Sequence, residues 1–391
     1  MALMTGDSLK QLRRVAAVGL AACVISVATV RQAGAQDKPA DQTPPPPDPD
    51  KVTLNFFRNT EIGGLVDGYW QYNSNKVPPL YQAFNVLYNS FDLSMAEFWV
   101  AKTPTADSRI GYKIRTTFGS AADLMASASG QFLKESPYKN IEEAYGSYLA
   151  PVGKGLQIDL GKFVTNAGAE VIEAKDDFNY SRSLLFQLAI PLYHSGVRLT
   201  YSPNDKVTLM GGVINGWNDV NDNNTAKSVM ASVTFKPTGS LSVVENYIGG
   251  AEQPNNNDDW RNLSDTVVSY TVNPQVSLMA NYDYGHDTVN GVGVHWQGVA
   301  GYLKYQANKY VAVIPRLEFY NDASGFTTGV VQNLTDATVT LEIKPADNFI
   351  WRIEYRGDFS NDSPFTNSSG IAKKNQQLFI VGFLFNFSTK S

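Results

Sequence analysis

Cysteine occurs once, at Cys23, and histidine three times. No intrachain disulfide framework is possible, and His194, His286 and His295 lack the spacing of metal ligands. No nucleophile motif accompanies any of these histidines. A phosphate loop or dinucleotide fingerprint is also missing, because Gly211 and Gly212 sit inside a strand pattern. These absences point away from an enzyme and from any resident cofactor or metal. The chain has no basic surplus either: its net charge of −5 provides no electrostatic footprint for nucleic acid. After the first segment, no apolar run approaches the roughly 20 residues of a spanning helix. An inner-membrane helical protein is thereby excluded. A membrane β-barrel is not, since each of its strands shows lipid only every second side chain.

The chain begins with a leader. Lys10, Arg13 and Arg14 precede an apolar run from Val15 to Val30, and Ala33, Gly34 and Ala35 form a small-residue cleavage site before Gln36. The pattern predicts an export signal over residues 1–35. Leu20 to Cys23 also resembles a lipoprotein processing box, but the apolar run continues past Cys23. Removing the leader leaves 28 basic and 36 acidic residues and no cysteine. Pro44 to Pro47 and Pro49 mark an extended, polar stretch, so residues 36–60 are expected to be a disordered periplasmic lead-in. Residues 61–391 contain no second composition break and read as one domain.

That domain resolves into about sixteen strand-like segments, with fourteen as the alternative, whose connections alternate between long and short. Long links include Ser74 to Ser90, Ser120 to Asn140, Val164 to Tyr193, Gly216 to Ala226, His286 to Gly291 and Ser360 to Asn375. Between them fall tight turns such as Pro151 to Gly155, Pro203 to Asp205 and Asn308 to Lys309. This rhythm predicts an all-β, up-and-down antiparallel transmembrane barrel with short periplasmic turns and long extracellular loops. Period-two alternation supports it: Arg352, Glu354, Arg356 and Asp358 oppose Trp351, Ile353 and Tyr355, and Lys113, Arg115 and Thr117 oppose Tyr112, Ile114 and Phe118. Trp70, Trp99, Trp296, Tyr320, Trp351 and other aromatics near strand ends suggest interfacial belts. In Phe91 to Lys102, Glu97 falls on the face of Leu93 and Trp99, which only a bulge resolves. The last strand, Gln377 to Phe387, turns Phe379, Val381, Phe383, Phe385 and Phe387 to one side. Phe383, Phe385 and Phe387 resemble the C-terminal signal by which outer-membrane barrels are recognised for assembly.

Several stretches resemble the OmpL-like putative beta-barrel porin family of Gram-negative bacteria: "LVDGYWQYN" (Leu65 to Asn73), "GKFVTNAGAEVIE" (Gly161 to Glu173), "NYSRSLLF" (Asn179 to Phe186), "IPLYHSGVRLTY" (Ile190 to Tyr201) and "GVINGWNDVNDNN" (Gly212 to Asn224). The resemblance implies an outer-membrane porin. The expected partners are outer-membrane lipid, the barrel-assembly machinery and small hydrophilic solutes or ions, with oligomers possible and nucleic acid excluded.

In a pore, charge placed where water is confined sets selectivity. The longest link, Val164 to Tyr193, is the candidate constriction, carrying Glu170, Glu173, Asp176, Asp177 and Arg182. Opposite it, Lys113, Arg115, Arg316, Glu318, Glu342, Arg352, Glu354 and Arg356 are the candidate lumen charges. On this reading, loss of Arg352 and Arg356 shifts ion preference toward cations. Alternatively, the loop caps the barrel outside and the charges form a stabilising ladder. The Asn-rich link Asn215 to Asn224, with Trp217, suits sugar hydroxyls or Asn-Gly turn chemistry; Asp219, Asp222 and Asn224 suggest calcium without forming a complete ligand loop. The function expected is passive diffusion of small hydrophilic solutes through the outer membrane. The alternatives are a plugged barrel serving as surface anchor or adhesin, and a secreted soluble all-β binding protein.

Overall fold

In the computed structural model, which describes residues 56–127 and 138–390, sixteen strands close into one antiparallel barrel. They are β1 (Glu61–Asn73), β2 (Ser90–Lys102), β3 (Ile110–Phe118), β4 (Ile141–Ala150), β5 (Leu156–Val164) and β6 (Tyr193–Asn204). Next come β7 (Val207–Ile214), β8 (Ser228–Phe235), β9 (Leu241–Ala251), β10 (Trp260–Asn273), β11 (Val276–Val289) and β12 (Val292–Asn308). The wall ends with β13 (Val311–Asp322), β14 (Gln332–Ala346), β15 (Phe349–Ser360) and β18 (Asn375–Ser388), the last two separated by a small hairpin, β16 (Phe365–Thr366) and β17 (Ala372–Lys373). Closure is made by β18 on β1, with Val66 opposite Phe385. Such a ring satisfies every strand edge, as a hydrocarbon surround demands. The leader, Cys23 and the lead-in up to residue 55 lie outside the described residues.

The polar alternation sets which way each side chain points. On β15, Arg352, Glu354, Arg356 and Asp358 are buried toward the lumen, while Trp351, Ile353 and Tyr355 are exposed outside. On β18, Phe379, Phe385 and Phe387 are exposed outside, and Val381 and Phe383 share their parity. The opposite face of β18 is also apolar, because Leu378, Ile380 and Leu384 are buried inside.

Three expectations are corrected. The register between β1 and β2 shifts at Asp67/Gly68, leaving Ser94 as the bulged residue; this reverses parity within β2, so Leu93 points out while Glu97 and Trp99 point in. Trp99 is therefore not a belt residue: its Nε1 donates to Glu61 Oε1 at 3.0 Å. Trp296 and Tyr320 are likewise buried inside, whereas Tyr247, Tyr270, Tyr284, Phe319 and Trp351 do face out. The link expected from His286 to Gly291 is only the turn Asn290–Gly291, with φ of 52° and 76°. Both residues are left-handed there, the conformation a two-residue hairpin favours for Asn-Gly.

A carboxylate also stands on the outer face. Glu245, midway along β9, points outside and accepts hydrogen bonds from Ser264 Oγ at 2.8 Å and Thr266 Oγ1 at 2.5 Å on β10.

Candidate functional site: a loop docked inside the lumen

The link 165–192 between β5 and β6 turns into the barrel, and its apolar residues explain why. Ile172, Leu184, Leu185, Phe186, Ala189 and Ile190 are buried against Met95, Phe163, Trp296, Tyr302 and Tyr320 of the wall. Each large side chain so withdrawn from water contributes on the order of 2 kcal/mol. A short helix, α1 (Leu184–Leu188), starts here, with Ser183 Oγ accepting from the Phe186 N–H at 3.0 Å. A second cluster joins Ala174 and Tyr180 to Leu65, Tyr69, Ile350, Leu378, Ile380 and Leu384. This gives the inner face of β18 its apolar partner. Gly382 permits the contact, since a Cβ there would lie 2.3 Å from the Tyr180 ring. The Tyr180 hydroxyl donates to Asp67 Oδ1 at 2.7 Å.

Charged side chains of the wall hold the loop by its backbone. Arg352 donates to the carbonyls of Ala174 (2.5 Å), Asn179 (2.8 Å) and Asp177 (2.5 Å), and pairs with Glu342 at 2.8 Å. Arg356 donates to the Arg182 carbonyl at 2.5 Å and pairs with Asp336 and Asp358, both at 2.8 Å. Arg316 bonds the Ser181 carbonyl at 2.5 Å and pairs with Glu170 at 3.1 Å and Glu318 at 2.9 Å. Glu354 accepts from the N–H groups of Tyr180 (2.8 Å) and Ser181 (3.0 Å), and Glu318 from that of Leu184 at 2.7 Å. Bonds of this charged kind are worth roughly 1.5–3 kcal/mol each.

Of the expected lumen charges, then, Arg316, Glu318, Arg352, Glu354 and Arg356 do face inward, but they are buried under the loop. The expected opposition of acids and cations across water is replaced there by direct contact, because the loop's backbone needs partners once it leaves solvent. Glu342 pairs with Lys304 at 2.7 Å as well as with Arg352. Within the loop, Asp177 accepts from the Val171 N–H at 2.9 Å and pairs with Arg182 at 3.2 Å. Burial pushes the Asp177 carboxyl well above the usual range, and neighbouring Glu170 adds to this; Arg182 and Arg352 oppose the rise. Arg182 also bonds the carbonyls of Tyr180 and Ile172. Glu173 reaches across to Arg115, while Asp176 remains solvent-exposed beside Lys175.

The loop leans mainly on β9–β15, β18 and β1, and also touches Met95 of β2, Arg115 of β3 and Phe163 of β5. Across the lumen from it, Lys113, Tyr145, Gln157 and Arg198 keep partial exposure, as does Arg115, which Glu173 of the loop reaches. Two hollows flank the loop. One of about 320 Å³, toward the short-turn rim, is lined by Trp99, Lys113, Arg115, Tyr145, Gln157 and Lys175. The other, of about 300 Å³, is lined by Phe84, Phe186, Leu188, Trp217 and Asn218. Glu97, Glu142 and Glu173 converge within 4.8 Å of one another, and Arg115 pairs with all three. The bulge between β3 and β4 is what turns both Glu142 and Glu143 inward. In the Asn-rich link, Asn218 takes φ of 62° and accepts from the N–H groups of Leu192 (2.6 Å) and Tyr193 (3.3 Å). Asn215 bonds the Val220 carbonyl and Asn224 that of Ala251. These side chains shape turns that pin the end of the lumen loop. The sequence did carry a signal for the docked loop: the density of apolar residues from Ile172 to Ile190 is too high for a link lying in water.

Solved structures of the same architecture include outer-membrane proteins and porins. Outer-membrane-expressed OmpT of Vibrio cholerae matches with a TM-score of 0.57 at 11% identity, covering 84% of this chain and 97% of that one. The anion-selective porin from Comamonas acidovorans gives 0.57 at 11%, covering 84% and 99%. The outer-membrane channel DcaP of Acinetobacter baumannii gives 0.54 at 12%, covering 84% and 97%. At these identities the likeness is one of fold. None of the curated proteins matches the chain in sequence. The family model described as "Putative beta-barrel porin-2, OmpL-like" matches residues 59–387, and this chain belongs to that family of outer-membrane porins.

Proposed function

We propose that the protein is a passive channel for small hydrophilic solutes, in which the 165–192 loop narrows the lumen and leaves the side of β3–β6 open to water. The observation that supports this reading is the loop's placement: most of its polar bonds go to one arc of the wall, while Lys113, Tyr145, Gln157 and Arg198 on the opposite arc keep partial exposure. Glu170, Glu173, Asp177 and Arg182 act as fasteners of the constriction, and Asp176 faces its water. No step here is chemical; solutes move down their own gradients. The 1–35 leader directs export and is cleaved. Phe383, Phe385 and Phe387 on the closing strand present the outward aromatic row read by the assembly machinery, and the outer wall meets lipid or neighbouring copies.

A plugged barrel serving as anchor is the second reading, favoured by the number of charged bonds that hold the loop. Liposome swelling separates the two. Proteoliposomes carrying the refolded mature chain are expected to swell in isotonic solutions of small sugars and amino acids, at rates that fall with solute size. Swelling no faster than in protein-free vesicles would establish the plug.

A further inference from the structure

Counting charges suggests an acidic lumen, but exposure tells a different story. In the ion pairs of the inner wall that the loop does not cover, the cation reaches water and its carboxylate lies behind it, whereas the pairs of Arg316, Arg352 and Arg356 are buried on both sides. Side-chain exposure is 23% for Lys113 against 3% for Glu143, 18% for Arg198 against 1% for Asp159, 16% for Arg261 against 0% for Asp287, and 19% for Lys304 against 1% for Glu342. Arg115 follows the same order at 12%, against 7% or less for each of its four carboxylate partners. The long cationic stems explain this, since Lys and Arg carry their charge past the shorter Asp and Glu rooted on the next strand. The order is reversed for Asp176, 54% exposed beside Lys175 at 19%, and for Asp123, 43% exposed beside Lys139 at 29%.

These tips occupy successive heights. Arg261 sits one residue from the long-link end of β10, Arg198 and Arg115 lie mid-strand, and Lys113 and Lys304 lie near the short-turn ends of β3 and β12. We infer that this staircase of exposed cations makes the channel favour small anions, with the hollow of about 320 Å³ that Lys113, Arg115 and Lys175 line, together with the single carboxylate Glu61, as a stop on their way. The inference rests on the channel reading above. An anion in that hollow meets the positive ends of side-chain pairs, in confined water walled by low dielectric where such fields are focused.

The test is the reversal potential of the refolded mature chain in planar bilayers under a potassium chloride gradient. Chloride preference is expected. Lys113→Gln is expected to lower the chloride-to-potassium permeability ratio about two- to fivefold, the scale of one unit charge acting over about 4 Å in water. Asp176→Asn, on the exposed face of the loop, is expected to raise it. Potassium preference in a conducting channel would overturn the inference and leave the channel reading standing. Chloride preference unchanged in both variants would overturn its assignment to these residues. Absence of conductance would overturn the channel reading itself, and the inference with it.

Discussion

Arg352→Ala removes the side chain that fastens the middle of the lumen loop. Three bonds to the carbonyls of Ala174, Asp177 and Asn179 disappear, and Glu342 loses one of its cations while keeping Lys304 at 2.7 Å. Charged bonds are worth roughly 1.5–3 kcal/mol each and do not add fully; water entering the gap recovers part of the loss. The loop is therefore expected to lose about 3–5 kcal/mol of docking free energy, whereas the strand ladders are untouched. Hydrogen exchange at the amides of residues 174–183 reads this directly, with rates rising roughly 200- to 5,000-fold and exchange in β13–β15 unchanged. Arg352→Lys keeps the charge beside Glu342 but loses the planar fork, and is expected to fall between. An Arg352→Ala barrel whose loop amides exchange as slowly as those of the parent would refute the fastening role.

Gly382→Ala places a methyl group 2.3 Å from the Tyr180 ring; a folded barrel with a displaced loop is expected, seen as protease cleavage within 165–192 that the parent resists. Asp177 titrates against Arg182, Glu170 and Arg352. Its docked carboxyl holds a proton more tightly than the free one, so its contribution is complete at acid pH and is lost as pH rises through the raised value. The protection of the loop amides, taken relative to the intrinsic exchange rate at each pH, should fall from pH 5 to pH 9, and Asp177→Asn should flatten that fall. Glu245→Val removes an outward carboxylate from the apolar wall and is expected to stabilise the barrel in lipid by roughly 1 kcal/mol, measured as a higher urea midpoint; a lower midpoint would mean that the bonds from Ser264 and Thr266 outweigh the burial cost.

The wall was legible because lipid and lumen impose period two on nearly every strand, as in Arg352 to Asp358 and in the phenylalanines of β18. Trp99 was misread because a bulge reverses parity: Glu97 on the face of Leu93 and Trp99 called for a bulge, but nothing in the sequence places it at Ser94. Trp296 and Tyr320 were misread because aromatics near strand ends suit either face, and only the docked loop gives them an inner partner. The loop's acids were visible; its fastening was not, since Arg352 binds backbone carbonyls, which any sequence supplies. The order of exposure in the ion pairs depends on side-chain length across paired strands, a property of register that composition does not carry.

The central claim is that the 165–192 loop fills one arc of a water-filled lumen and sets its width. Single-channel conductance in planar bilayers, comparing the parent with a variant whose residues 168–189 are replaced by a short Gly-Ser linker, tests it most directly. A discrete open level in the parent and a several-fold larger one in the variant are predicted; equal levels, or a parent that never opens, would contradict it.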